Sequence, residues 1–216
     1  MIHPSADYLP IIYKRYAKAW RKLRSESPFV EKAWLDRFIS MIPQSEEDNN
    51  RTNNRTKSEI LDLGCGDGYP IAHYLIEEGY SVTGVDITKA FIKAAKKQFK
   101  GMPAEWILAD MRDITFDKQF SGIIAWDSYF HLPPNDQTAL FEKFEHYCTP
   151  GAPLLITTGA DAGEAIGKFN GHDLYHASLS PDHYRQLFID HGFGLIQYKI
   201  EDQSCGGRTI WLAKRR

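Results

Sequence analysis

The chain of 216 residues is long enough for one full core and short for two independent domains. Hydrophobic residues make up 43% and charged residues 25%, as in globular proteins, and a formal charge of −2 provides no overall field to recruit nucleic acid or an anionic membrane. No apolar run approaches the roughly 20 residues that span a bilayer, and Met1–Tyr8 lacks a signal-peptide pattern. Three cysteines far apart, Cys65, Cys148 and Cys205, suit a reducing, cytoplasmic setting.

The first predicted element is a helix on which Tyr13, Tyr16, Ala17, Trp20 and Leu23 recur at helical spacing. Lys14, Arg15, Lys18, Arg21, Lys22 and Arg24 fill its other faces and read as a solvated basic surface. A second helix is expected from about Pro28 to before Pro43, with Val30, Trp34, Phe38 and Met41 inward. Residues 1–44 thus form an expected helical cap. Ser45–Ser58 contains no apolar residue and reads as a flexible polar linker.

From Glu59 onward, strand and helix patterns alternate. Strands are predicted at Ile60–Leu63, Ser81–Val85, Trp106–Ala109, Gly122–Trp126 and Pro153–Thr158, with helices at Ile71–Glu78, Lys89–Phe99, Gln137–Tyr147 and Pro181–His191. Such alternation predicts an α/β fold with a mainly parallel sheet covered on both faces. The last two strands, Leu195–Ile200 and Thr209–Ala213, are joined by too short a connection for a parallel crossover, so they must run antiparallel. Residues 159–180 read as a long irregular insertion with glycines at 159, 163, 167 and 171, placed where a lid would lie.

The most informative stretch is ILDLGCGDGYP, Ile60–Pro70, between a strand and a helix. Gly64, Gly66 and Gly68 let the backbone turn sharply and approach a ligand. A dinucleotide fingerprint asks for a small residue where Tyr69 stands. Asp62, two residues before the first glycine, could instead meet the ammonium of an amino-acid ligand. Asp86 ends the next strand 22 residues after Gly64 and can accept both ribose hydroxyls. Asp110 and Met111 follow the third strand, placing a carboxylate for an adenine amine and an apolar cover for its ring. Asp86 and Asp110 could alternatively cap the helices that follow them.

Taken in order, LDLGCGDG, VTGVD, LADM, IIAWDSYFHL and YCTPGAPLLIT resemble the motifs of class I S-adenosylmethionine (SAM)-dependent methyltransferases over about Glu59–Lys199. The resemblance implies a Rossmann-like, doubly wound seven-stranded sheet, mostly parallel, with an antiparallel last strand, in a domain spanning 59–216. It implies SAM as cofactor, S-adenosylhomocysteine as product, and cofactor contacts from Asp62, Gly64, Cys65, Gly66, Gly68, Asp86, Ile87, Asp110, Met111 and Trp126.

The acceptor is expected beside the turn after the fourth strand, AWDSYFHLPP. His131 is the candidate general base, because its ordinary pKa lies near neutrality, and Asp127 is a second candidate catalytic group, suited to orienting backbone or cofactor. Tyr16, Trp20, Tyr129, His131, Tyr175 and His176 are the candidate acceptor contacts. The turn departs from the D/N-P-P-Y/F pattern of adenine and glutamine amino-methyltransferases, which weighs against DNA methylation. His172 and His176 stand without acidic or cysteine companions, so no metal site is expected. The expected activity is methyl transfer to an oxygen or nitrogen of a small molecule. RNA or protein methylation, suggested by the basic helix, and a non-catalytic SAM-binding module are the alternatives. No membrane partner is expected, nucleic acid is disfavoured, and the chain is expected to act as a monomer or homodimer.

Overall fold

The computed structural model describes residues 8–43 and 57–216. The predicted linker falls mostly outside them, and its last two residues belong to the first strand. In chain order the elements are α1 (Leu9–Glu26), α2 (Lys32–Ser40), β1 (Lys57–Leu63), α3 (Ile71–Glu77), β2 (Tyr80–Asp86), α4 (Lys89–Gln98), β3 (Ala104–Leu108), β4 (Gly122–Ala125), α5 (Pro134–Tyr147), β5 (Pro153–Thr158), β6 (Gly163–Phe169), β7 (His172–Ser178), α6 (Pro181–Asp190), β8 (Phe193–Asp202) and β9 (Arg208–Arg215). A single 3₁₀ turn, Tyr129–His131, follows β4.

Seven strands form one sheet in the order β3-β2-β1-β4-β5-β9-β8. The first five pair in parallel, and β9 runs antiparallel to both β5 and β8. The predicted antiparallel last strand is therefore β9, inserted one place in from the edge. The chain winds outward from β1 in one direction and from β4 in the other, so the strand order reverses between them. In open α/β sheets, a cleft opens at the carboxyl ends of the strands at that reversal.

Alternation along the strands divides the core. Leu61, Leu63, Ile123, Ala125, Leu154, Ile156, Trp211 and Ala213 face α5 and α6, where Phe141, Phe144, Tyr184 and Phe188 cover them. Ile60, Ile124, Leu155, Ile210 and Leu212 face the other way, onto α2, α3 and α4. The central strands β4 and β5 read as continuous apolar runs because both faces are buried.

The N-terminal segment was expected to act as one cap, but its two helices have different neighbours. Helix α2 belongs to the sheet's helical layer. Leu35 and Phe38 are fully buried, and Phe38 lies against Gly122, where any Cβ would collide with its ring. Burying such a side chain is worth about 1.5–3 kcal/mol. Trp34 Nε1 donates to Asp202 at 2.9 Å, and Cys205 Sγ donates to the Val30 carbonyl, so α2 is tied to the β8–β9 connection. Helix α1 lies over the cleft instead. It kinks at Tyr16, and only Leu9, Ile12 and Ala17 along it are buried.

Residues 159–180 are more regular than expected. Strands β6 and β7 form a two-stranded antiparallel hairpin, closed by Asn170 (φ 48°) and Gly171 (φ 80°). Two successive positive φ values and an Asn-Gly pair are the marks of a tight hairpin turn. Leu174, Tyr175 and Ala177 of β7 bury a small apolar cluster against Leu9 and Ile12 of α1. No helix among the described residues is long and apolar enough to cross a membrane.

Candidate active site

The cleft at the β1/β4 reversal holds two adjoining chambers that share Trp20, Gly64, Gly66 and Asp127. The larger, of about 240 Å³, runs along Asp86, Ile87, Thr88, Asp110 and Met111 to Ser128 and His131, roofed by Leu9, Tyr13 and Trp20 of α1. The smaller, of about 50 Å³, is bounded by Asp62, Cys65, Asp67, Trp126 and Arg24.

The glycine loop is built by three glycines that do different work. Gly64 has φ +76°, and a Cβ there would run into the Ser128 side chain. Ser128 Oγ in turn donates to the Leu63 carbonyl at 2.6 Å, locking the β4 turn against the end of β1. Gly66 has φ +57° with open space where its Cβ would be, and its N–H donates to Asp86 Oδ2 at 3.0 Å. Gly68, expected at the ligand, packs instead against Trp106 and Phe99. It shapes the loop without bordering either chamber.

Asp86 also accepts from the Thr88 N–H at 2.7 Å. Burial pushes its carboxyl up to about 6, against the pull of these N–H groups. Asp62 is 3% exposed and has no hydrogen-bond partner among the described residues. Burial and then repulsion from Asp86 push it up to about 7. Such a carboxylate lacks a cation. Ile87, exposed at the end of β2, and Met111 present apolar surface to the larger chamber. Asp110 is already engaged: Arg112 bonds both its oxygens and also reaches Asp136 at 2.8 Å. Burial raises the Asp110 carboxyl, but Arg112 outweighs it and holds the group below its usual range.

Both candidate catalytic groups are in the cleft, each with a partner distant in sequence. Asp127 is in the left-handed region at φ 49°, a strained conformation that tends to mark functional turns. Arg208 of β9 grips both its carboxylate oxygens at 2.7–3.0 Å, which makes Asp127 one half of an ion pair. The same guanidinium lies 5.9 Å from the centre of the Trp126 ring.

His131 Nδ1 is 2.8 Å from the Tyr175 carbonyl, and its Nε2 is 3.0 Å from Tyr13 Oη. A carbonyl only accepts, so Nδ1 carries the proton. Burial drives the imidazole pKa down to about 4, with the neighbouring His176 adding to the fall and the Tyr175 carbonyl and Asp127 opposing it. The ring is therefore neutral near pH 7, and its Nε2 lone pair accepts the Tyr13 hydroxyl. Tyr13 and His131 both line the larger chamber, and the Tyr13 hydroxyl occupies the His131 Nε2 lone pair.

The other acceptor candidates separate. Trp20 borders both chambers. Tyr16 points away, bonding His172 Nε2 at 2.7 Å beside the hairpin. Tyr129 is fully buried in the core, its hydroxyl donating to the Gln137 carbonyl. Tyr175 is equally buried and donates to Glu164, so it serves through its backbone. His176 borders a separate cavity beneath the hairpin and packs 4.9 Å from the His131 ring centre. Sequence reading missed Arg208 and Arg112, placed Arg24 on a solvated basic face, and took Tyr13 only as part of the apolar stripe of the helical cap. Nothing local in the sequence marks the three arginines. Tyr13 was marked, since it shares one helical face with Trp20.

Residues 60–151 match the family described as a methyltransferase domain. YqeM of Bacillus subtilis (strain 168), a protein assigned as a methyltransferase, is 31% identical over 150 residues, covering 68% of this chain and 55% of its own. An O-methyltransferase of Pyrenophora dematioidea is 27% identical over 160 residues, covering 68% of this chain and 58% of its own. The chain thus spans little more than half the length of these curated relatives. The magnesium protoporphyrin IX methyltransferase of Synechocystis PCC 6803, solved with bound SAM, superposes with a TM-score of 0.68 at 16% identity, covering 96% of this chain and 97% of its own. The motifs, the sheet order and these likenesses agree: residues 60–151 carry a methyltransferase domain, on the fold of the class I SAM-dependent methyltransferases.

Proposed function

We propose that this protein binds SAM across the two chambers and transfers its methyl group to an oxygen or nitrogen of a small-molecule acceptor. The observation that carries the reading is the pair of buried carboxylates flanking the glycine loop, Asp62 without a partner and Asp86 met by the Gly66 and Thr88 N–H groups. Asp62 borders the small chamber without a partner, while Asp86 borders the large one beside apolar Ile87 and Met111. A ligand with an ammonium at one end, ribose hydroxyls in the middle and a flat ring at the other satisfies all of them. A nicotinamide dinucleotide has no ammonium for Asp62.

Bound SAM would supply a methyl group made electrophilic by its sulfonium. The chain's own residues bind, orient and exclude water. Asp62 would take the ammonium, Asp86 the ribose hydroxyls, and Ile87 and Met111 the adenine faces. Asp110, tied to Arg112, would reach the adenine edge with its remaining lone pairs. Gly64, Cys65, Gly66 and Trp126 shape the wall of the amino-acid end. Tyr13 and Trp20 confine the acceptor, which the α1 roof restricts to a small molecule. A proton leaving an acceptor hydroxyl would pass to Tyr13 Oη as the phenol proton moves to His131 Nε2. A base held neutral to about pH 4 is weak, which suits a proton that becomes strongly acidic as its oxygen is alkylated. Asp127, held by Arg208, orients the turn and contributes negative charge facing a cationic cofactor. The buried free thiols Cys65, Cys148 and Cys205 suit the cytoplasmic setting that belongs to this reading.

Calorimetric titration with SAM, S-adenosylhomocysteine and NAD tests the cofactor. Micromolar binding of the first two is expected, lost in Asp86→Ala; binding of NAD alone would end the reading. Turnover on a panel of phenols, carboxylic acids and amines then tests the chemistry. On a hydroxyl acceptor, His131→Ala and Tyr13→Phe should each lower kcat by about 10²–10⁴-fold and leave S-adenosylhomocysteine affinity within about threefold. Unchanged turnover in both would discard the relay. Binding without turnover on any acceptor would favour a non-catalytic module.

A further inference from the structure

The last turn of α1 carries a feature that the cofactor contacts above leave unused. The Arg24 side chain is 15% exposed and that of Glu31 0%. One Arg24 Nη2 hydrogen goes to Glu31 Oε1 at 2.6 Å, while Glu31 Oε2 is buried without a partner. A guanidinium offers five N–H donors. The other four on Arg24 have no protein acceptor among the described residues, and the side chain borders the small chamber beside Asp62, Cys65 and Trp126. The other two arginines near this chamber are committed, Arg21 to Asp67 and Arg208 to Asp127. A planar fork with free donors, close to a partnerless carboxylate, is complementary to an amino-acid zwitterion.

The same helix roofs the acceptor chamber. Leu9, Tyr13, Trp20 and Arg24 lie on one side of α1, the first three over the larger chamber and the last at the smaller. We propose that Arg24 receives the carboxylate at the amino-acid end of the cofactor, and that α1 is thereby fixed as the roof of the acceptor chamber only by a ligand carrying that carboxylate. The cofactor would then bind first and complete the acceptor site. This rests on the cofactor reading above and adds to it a receptor outside the motif-bearing sheet.

The test uses the full chain and three probes: S-adenosylhomocysteine, its decarboxylated analogue, and 5′-methylthioadenosine, which lacks both charged groups. Wild type should bind S-adenosylhomocysteine about 10–100-fold more tightly than the decarboxylated analogue, the range for charge-assisted hydrogen bonds. Because removing Arg24 alone would strand Glu31, the main variant is Arg24→Met/Glu31→Gln, which keeps the buried site neutral; its melting temperature reports folding. It should bind S-adenosylhomocysteine no better than the decarboxylated analogue and keep 5′-methylthioadenosine affinity within about twofold of wild type. A variant that keeps the wild-type preference for the carboxylate would overturn the receptor role. Hydrogen exchange tests the coupling: S-adenosylhomocysteine should protect residues 9–24 and the decarboxylated analogue should not. Equal protection by both would overturn that half. Failure of wild type to bind any of the three would remove the cofactor reading itself, an outcome distinct from loss of the Arg24 preference alone.

Discussion

If Asp62 and Asp86 hold the cofactor as proposed, the cleft is a pH-dependent binder, and the sign follows from their environments. Both are raised in the free protein, to about 7 and about 6. Each must be ionised to receive its part of the ligand, so binding lowers both pKa values and displaces protons at acid pH. Affinity should be flat above about pH 8 and fall as pH drops through 7 and then 6. At pH 5.5, S-adenosylhomocysteine should bind about 100-fold more weakly than at pH 8, while 5′-methylthioadenosine, with nothing for Asp62, should lose only about fourfold. Titrations in buffers of different ionisation enthalpy check this through the protons released, and equal losses for the two ligands would remove Asp62 from the ammonium site. Stability of the free protein is a poorer reporter. His131, lowered to about 4, costs stability as pH falls below about 6.5, whereas the raised carboxyls make the folded state gain protons, and stability, over the same interval. The two trends oppose. The carboxylates were legible in the sequence because a strand end followed by a glycine loop fixes their position within a few residues. Arg208 was not, because its partner Asp127 lies 81 residues away and only the β5–β9 pairing brings them together.

At the scale of elements, the β6–β7 hairpin holds His131, the proposed base, through one backbone hydrogen bond. The Tyr175 carbonyl fixes the His131 Nδ1 proton, and β7 packs against the Tyr129–His131 turn, with His176 4.9 Å from the His131 ring centre. The hairpin turn depends on Gly171 at φ 80°, where a β-branched side chain costs about 1–2 kcal/mol or more. Gly171→Val should therefore speed amide exchange across residues 163–178 and raise the His131 pKa toward its ordinary value near 6.5. It should leave the main melting transition almost in place, since the hairpin's apolar cluster is separate from the two sheet cores. Imidazole proton shifts followed against pH would read the titration. Faster hairpin exchange with an unmoved His131 pKa would show that the turn after β4 holds the ring unaided. The Asn-Gly pair was present in the sequence as a turn signal. It was obscured because β6 is exposed along most of both faces, so no apolar alternation frames the turn. Strands β4 and β5 at the centre of the sheet showed the opposite: burial on both faces gave unbroken apolar runs that were easy to locate.

At the scale of the whole molecule, the buried residues described divide into two sheet cores and a smaller cluster between α1 and the hairpin, and the N-terminal helices fall on opposite sides of that division. Sequence reading grouped them because both carry aromatic residues at helical spacing, and spacing says which face is buried without saying against what. In the structure, α2 is part of the sheet's helical layer, with Trp34, Leu35 and Phe38 in the core that also holds Ile60, Ile124 and Leu155. Helix α1 buries Leu9 and Ile12 against the hairpin and sets Tyr13 beside Phe91 of α4, outside both sheet cores. Truncating a buried phenylalanine in a close-packed core costs about 3–5 kcal/mol, so Phe38→Ala should lower the global unfolding free energy by that amount in denaturant titration. Ile12→Ala removes a side chain of similar burial, 7% exposed against 0%, from the smaller cluster. Its cost should appear as faster local exchange in α1 and weaker cofactor binding, with the global midpoint shifted by under about 1 kcal/mol, because segments that open separately do not draw on global stability. If both substitutions lowered the global midpoint equally, α1 would be an integral wall of the fold, and a roof that closes on the cofactor would be excluded. If they separate as expected, ligand and acceptor meet in a chamber with a rigid floor and a roof held at low local stability. That arrangement allows a group as small as one carboxylate to decide whether the acceptor site exists, since closing a marginal element requires a differential affinity of only a few kcal/mol.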